Sequence, residues 1–192
     1  MKKKIFAVAA ACAAALSLGA CTTASDEYAP LNAMLDLSYS KIILTVTDTF
    51  DDTASLTSEY VLEYSEAGVT VKYSVERFTE ISIDAPAVSN KITLKGEALI
   101  KDGAVTGGEN VNLPATIADT GLTFKGEYFE NADLTGVYLK ADVKNASGFT
   151  GTDIVCSDMK VFATFLESFY EITVTYTGEN GNAVECGYQF FI

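Results

Sequence analysis

From about residue 41 to the C-terminus, apolar and polar positions alternate at the period of two that marks strands with one buried face. Ile42, Leu44 and Val46 alternate with Ile43, Thr45 and Thr47. Leu56, Tyr60, Leu62 and Tyr64 form the next strand. Val69, Val71, Tyr73 and Val75 form the one after, with Thr70, Lys72 and Ser74 on its other side. Ser65-Glu66-Ala67-Gly68 connects the two. Pairing Tyr64 with Val69 sets Leu62 opposite Val71 and Tyr60 opposite Tyr73, so one apolar face runs unbroken across the hairpin.

Ile92, Leu94, Ala98 and Ile100 predict a further strand, stopped by Lys101-Asp102-Gly103. Residues 102–121 are rich in Gly and Asn and contain Pro114, so they read as a loop with a brief edge strand. Leu122, Phe124 and Tyr128 predict another strand, and Val137, Leu139, Ala141 and Val143 the next. Met159, Val161, Ala163 and Phe165 lead to Tyr170, Ile172, Val174 and Tyr176. Glu179-Asn180-Gly181 then turns the chain into Val184, Cys186, Tyr188, Phe190 and Ile192. A two-residue Asn180-Gly181 loop would pair Val174 with Gly187 and break the apolar face. A three-residue loop with Gly181 left-handed pairs Val174 with Cys186 and Ile172 with Tyr188, and register selects it. Ahead of the strands, Pro30 to Asp36 predicts a short helix with Leu31, Met34 and Leu35 on one face.

The sum is a mainly β domain: a meander of about eight or nine antiparallel strands with a short N-terminal helix. Two architectures fit, a strongly curved half-barrel and a two-sheet sandwich.

Residues 1–21 follow a different pattern. Lys2, Lys3 and Lys4 precede an uncharged apolar stretch from Ile5 to Leu18, too short to span a bilayer as a helix but suited to a signal peptide. It ends in Leu18-Gly19-Ala20-Cys21, which resembles the lipobox of bacterial lipoproteins. That resemblance implies cleavage before Cys21, a diacylglyceryl (palmitate-type) anchor on the Cys21 sulfur, and an extracytoplasmic body held to the cell membrane. In a Gram-negative envelope, Thr22 in place of Asp implies the outer membrane. Two or three acyl chains hold a protein stably at about 0.8 kcal/mol per buried CH₂. The expected organisation is residues 1–20 as signal peptide, 21–30 as lipidated tether and 31–192 as one β-rich domain.

Charge narrows the partners. The sequence has 13 basic and 26 acidic residues, a net charge of −13. Loss of the three lysines at positions 2–4 with the signal would take this to −16. Such a surface should repel nucleic acid, whose phosphates need clustered Lys and Arg. The sequence has no His, which removes Ser-His-Asp and Cys-His nucleophiles and His-ligated zinc. No cofactor, metal site or catalytic constellation is expected, and the chain reads as a non-enzyme. Asp48, Asp51 and Asp52 do not match a calcium loop, and Asp is common in turns.

Of four cysteines, Cys12 lies in the signal and Cys21 is the anchor, leaving Cys156 and Cys186 as a candidate disulfide. Cys186 sits on the apolar face of the last strand. Cys156 falls beyond a neighbouring strand and on the opposite face if that strand is regular. Only a bend at Cys156-Ser157-Asp158 would bring the two together; otherwise they are two small buried thiols.

A lipobox, a tether, a short helix and then long meandering strands are similar in layout to the LolA/LppX-like lipoprotein carriers. The layout implies a lipid-anchored binding protein carrying a lipid or other apolar ligand on a concave sheet. The alternative is a structural or protein-interaction lipoprotein whose 10 Tyr and 11 Phe simply fill a core.

Overall fold

The computed structural model describes residues 26–51, 54–81, 88–102, 104–108, 122–146, 149 and 156–192. Cys21 and the leader lie outside them. A helix, α1 (Ala29–Leu35), precedes the strands β1 (Lys41–Asp51), β2 (Ala54–Ser65), β3 (Gly68–Ile81), β4 (Val88–Lys101) and β5 (Ala104–Gly107). A single 3-10 turn (Gly126–Tyr128) leads into β6 (Phe129–Leu134), β7 (Tyr138–Val143), β8 (Cys156–Phe165), β9 (Phe169–Gly178) and β10 (Ala183–Phe191).

All ten strands form one antiparallel sheet, in the order β5-β4-β3-β2-β1-β10-β9-β8-β7-β6. The sheet is not closed. The two-sheet sandwich is therefore corrected to a single open sheet among the described residues. Each half is a simple meander, as the alternating pattern predicts. The halves join where β1 pairs with β10, from Lys41 opposite Phe191 to Thr49 opposite Ala183.

The hairpin registers are those that keep the apolar face whole. Tyr64 lies opposite Val69, Leu62 opposite Val71 and Tyr60 opposite Tyr73. Val174 lies opposite Cys186 and Ile172 opposite Tyr188. Gly181 is left-handed at φ 79°, and its N–H bonds back to the Gly178 carbonyl at 2.9 Å. A one-residue slip in either hairpin would turn every apolar side chain to the other side.

The face carrying these residues is the inner face. Its row nearest the start of β1 contains Ala98, Val71, Leu62, Ile42, Phe190 and Tyr170, all buried. α1 joins the same core, with Pro30 in its first turn and Leu31 buried. The folded body begins earlier than the composition of residues 21–30 suggests. Tyr28 is buried, and its ring sits 5.6 Å from that of Phe129. Tyr28, Ala29 and Pro30 are thus part of the body and not of a tether.

The strand expected over Leu122, Phe124 and Tyr128 is not formed, and the reason is local. The Asn32 Nδ2 donates to the Phe124 carbonyl at 2.7 Å, and the Phe124 N–H donates to Asn32 Oδ1 at 2.8 Å. One side-chain amide from α1 takes both main-chain groups that a neighbouring strand would otherwise pair. Leu122 and Phe124 still point into the core, where Phe124 packs against Phe129, Phe149 and Phe165. The ladder resumes only at β6.

Both sheet edges are short. β5 has four residues, all exposed, and β6 has six with a register shift between Glu130 and Asp133 where Asn131 takes φ 50°. Short, bulged or charged edges resist pairing with other chains.

Candidate functional site

Burial on the inner face falls off in one direction. In the row that crosses β1 at Val46, the residues of β7 to β9 (Ala141, Val161, Val174) are buried. Cys186, Val46, Ser58 and Val75 are half-buried, and Leu94 on β4 is 52% exposed. In this row, cover by the described residues is complete over the C-terminal strands, whereas Val46, Val75 and Leu94, with Ser58 among them, are left partly open.

Beyond it, the next row sets Asp48 and Arg77 among Val184, Tyr176 and Leu56. Asp48 lies opposite Val184 and accepts a hydrogen bond from the Asn182 amide. Asp51 is placed at the end of the β1–β2 hairpin, opposite Ala54, and Asp52 lies outside the described residues. Among the described residues no three metal-ligating side chains come together. Asp48 is thus the acceptor of a β1-to-turn contact. Its partner Asn182 follows the left-handed Gly181, a place where an amide side chain commonly ties a turn down.

The two remaining cysteines flank Tyr176. β8 carries one extra residue between Ser157 and Lys160, and Asp158 takes φ 53° there. The bulge reverses the parity expected for Cys156, which lies opposite Gly178 and packs against the core. The candidate disulfide is nevertheless not formed, and both thiols are free. Cys186 pairs in register with Val174, four positions along β9 from Gly178. Two strand spacings, about 9.5 Å, already exceed the reach of a disulfide.

Neither thiol is set up as a nucleophile. Burial raises the Cys156 thiol, and burial pushes Cys186 to about 11 despite a hydrogen bond from the Tyr176 hydroxyl that favours its thiolate. Burial, then Cys186, raises Tyr176 to about 12. An activated cysteine shifts the other way. The sign for stability follows. Cys186 binds its proton more tightly when folded, so its contribution is complete below the ordinary thiol value and is lost as pH rises through about 11. We expect the urea midpoint to decline between about pH 9 and 11, and a Cys186→Ala variant to show a shallower decline. An equal decline in the variant would assign the loss to the tyrosines.

No protein family matches the sequence, and no curated protein does. One solved structure, the bifunctional dehydratase-cyclase domain in ambruticin biosynthesis, aligns at 12% identity over 85% of this chain and 77% of that chain, with a TM-score of 0.19. A superposition that loose says nothing of fold or chemistry. Among the described residues, no helix is long and apolar enough to cross a membrane.

Proposed function

We propose that this protein is an extracytoplasmic, lipid-anchored binding protein, tethered through Cys21, that holds a lipid or other apolar ligand on the inner face of β1 to β4. The half-exposed Val46, Val75 and Leu94 carry this reading, because they continue the core yet are not fully covered by the described residues. No catalytic step is assigned: the thiols are held protonated by burial, and the sequence has no His. The alternative, a protein-interaction lipoprotein with a filled core, is favoured by one feature. Phe124, Phe149, Phe190 and Ile172 are wholly buried, as side chains that fill a core are.

Native mass spectrometry of the protein made in bacteria tests the binding role. A co-purifying lipid lost on Leu94→Asp substitution is the expected result; a clean apo mass in the native chain would leave the filled-core alternative. Cys21→Ser should abolish palmitate labelling and release the protein from membranes. Retained labelling would overturn the anchor.

A further inference from the structure

The basic residues are sorted between the two faces of the sheet. Lys41, Lys72, Lys95, Lys101, Lys140 and Lys160 all take positions on the outer face, opposite the core. Arg77, the one arginine of the sequence, takes an inner-face position on β3. It is exposed, lies opposite the half-buried Leu56, and follows Val75 by two positions. Two positions along a strand are about 6.8 Å, so one small molecule can touch the guanidinium and still lie on Val75.

That guanidinium has no counterion among the described residues. Glu63 pairs with Lys72 on the outer face, and Arg77 forms no ion pair or hydrogen bond with another described residue. Asp48 shares its inner row but lies two strand spacings away, about 9.5 Å, and accepts from Asn182. Arginine is always charged, and its flat fork of N–H donors fits the paired oxygens of a carboxylate or phosphate. The ammonium of lysine is the more strongly hydrated cation, and lysines are what this sheet turns to water. A net charge of −13 repels anions at long range. Charges beyond about 8 Å are largely screened at physiological salt, so direct contact with Arg77 outweighs both Asp48 and the general field.

We infer that the ligand of the inner face is an amphiphile with an anionic head, a carboxylate or a phosphate. The head pairs with Arg77, and the tail lies over Val75 between Val46 and Leu94. This ligand class narrows the binding role proposed above, on which it rests. A neutral apolar ligand would leave the one inward arginine unmatched beside it.

Titration calorimetry tests the head group. The full chain carrying Cys21→Ser, so that no acyl anchor competes, is freed of co-purifying lipid. It is titrated with dodecanoate, dodecyl phosphate, dodecanol and dodecyltrimethylammonium, each below the concentration at which it self-associates. At least one anion should bind about tenfold or more tighter than dodecanol, and the two anionic arms show which head fits. Arg77→Gln should abolish that preference, leave dodecanol binding unchanged and melt with the native chain, because the side chain is exposed. Leu94→Gln should weaken the anions and dodecanol alike, several-fold. Both variants keep the apolar leader, so any uptake by it cancels in the comparison. Equal affinity for dodecanol and the anions, a preference that survives Arg77→Gln, or tighter binding of the ammonium would each overturn the anionic head and leave an apolar binding role standing. Binding of none of the four would overturn that role as well. A marked fall in melting temperature on Arg77→Gln, with no anion bound, would assign the guanidinium to an acid of this chain and also overturn the inference.

Discussion

Phe124→Ala is expected to lower stability by about 3–5 kcal/mol, a large share of the 5–15 kcal/mol typical of a folded domain. Phe124 is fully buried and touches three rings, those of Phe129, Phe149 and Phe165, at centroid distances of 6.1, 6.0 and 6.2 Å. Its main chain is held by Asn32, so the backbone cannot sink into the cavity that alanine would leave. Urea unfolding followed by circular dichroism measures the effect as a shift in midpoint at unchanged slope. Phe162→Ala supplies the contrast, because that ring lies on the surface and its loss should cost under about 1 kcal/mol. Similar losses from the two variants would mean that the core is not centred on Phe124.

The second large effect is at Gly96. The Tyr73 ring lies across this glycine on the neighbouring strand, so any side chain there must displace the ring. Tyr73 is buried beside Tyr60, and a displaced ring exposes apolar surface or strains its neighbours. Gly96→Val should therefore cost about 2–3 kcal/mol, the range of an overpacked core, although valine suits a strand. A double-mutant cycle checks the cause: adding Tyr73→Ala to Gly96→Val should cost clearly less than the two single losses together. Strict additivity would refute the contact. The same substitution at Gly187, where the Cβ would meet only the Thr45 carbonyl oxygen at 4.0 Å, should be neutral or stabilising.

These two positions show what the sequence made readable. The apolar alternation identified Tyr73 as inward, and with it the pairing of Tyr60 with Tyr73 and Tyr64 with Val69, because register within a hairpin follows from local turn length. The same logic placed Gly181 in its left-handed turn. Nothing in the alternation could tell Gly96 from Gly187, since both look like a missing side chain until the strand beside each is known. The pairing of β1 with β10 was equally hidden, because a meander pattern does not say which ends meet. The expected strand at Phe124 failed for a related reason: its periodicity is real, but a distant amide on α1 holds the main-chain groups a ladder needs. The opposite-face parity of Cys156 holds only for a regular strand, and one extra residue beside the Cys156-Ser157-Asp158 segment reverses it. The proposed function was less readable still, since it depends on which inner-face residues the rest of the fold leaves partly uncovered.

The central seam has a consequence for how the chain is made. Ser40 and Phe191 are 151 positions apart, yet the Ser40 N–H bonds to the Phe191 carbonyl at 2.8 Å. Until β10 has been made, the meander from β1 to β5 and the strands from β6 to β9 each present an unpaired edge, at β1 and at β9, where β10 will dock. Closing so long a separation is the slow, entropically costly step of assembly. Any chain that stops short of β10 keeps two sticky borders in the middle of what should be one surface. The nine residues of β10 thus decide whether the two meanders become one sheet.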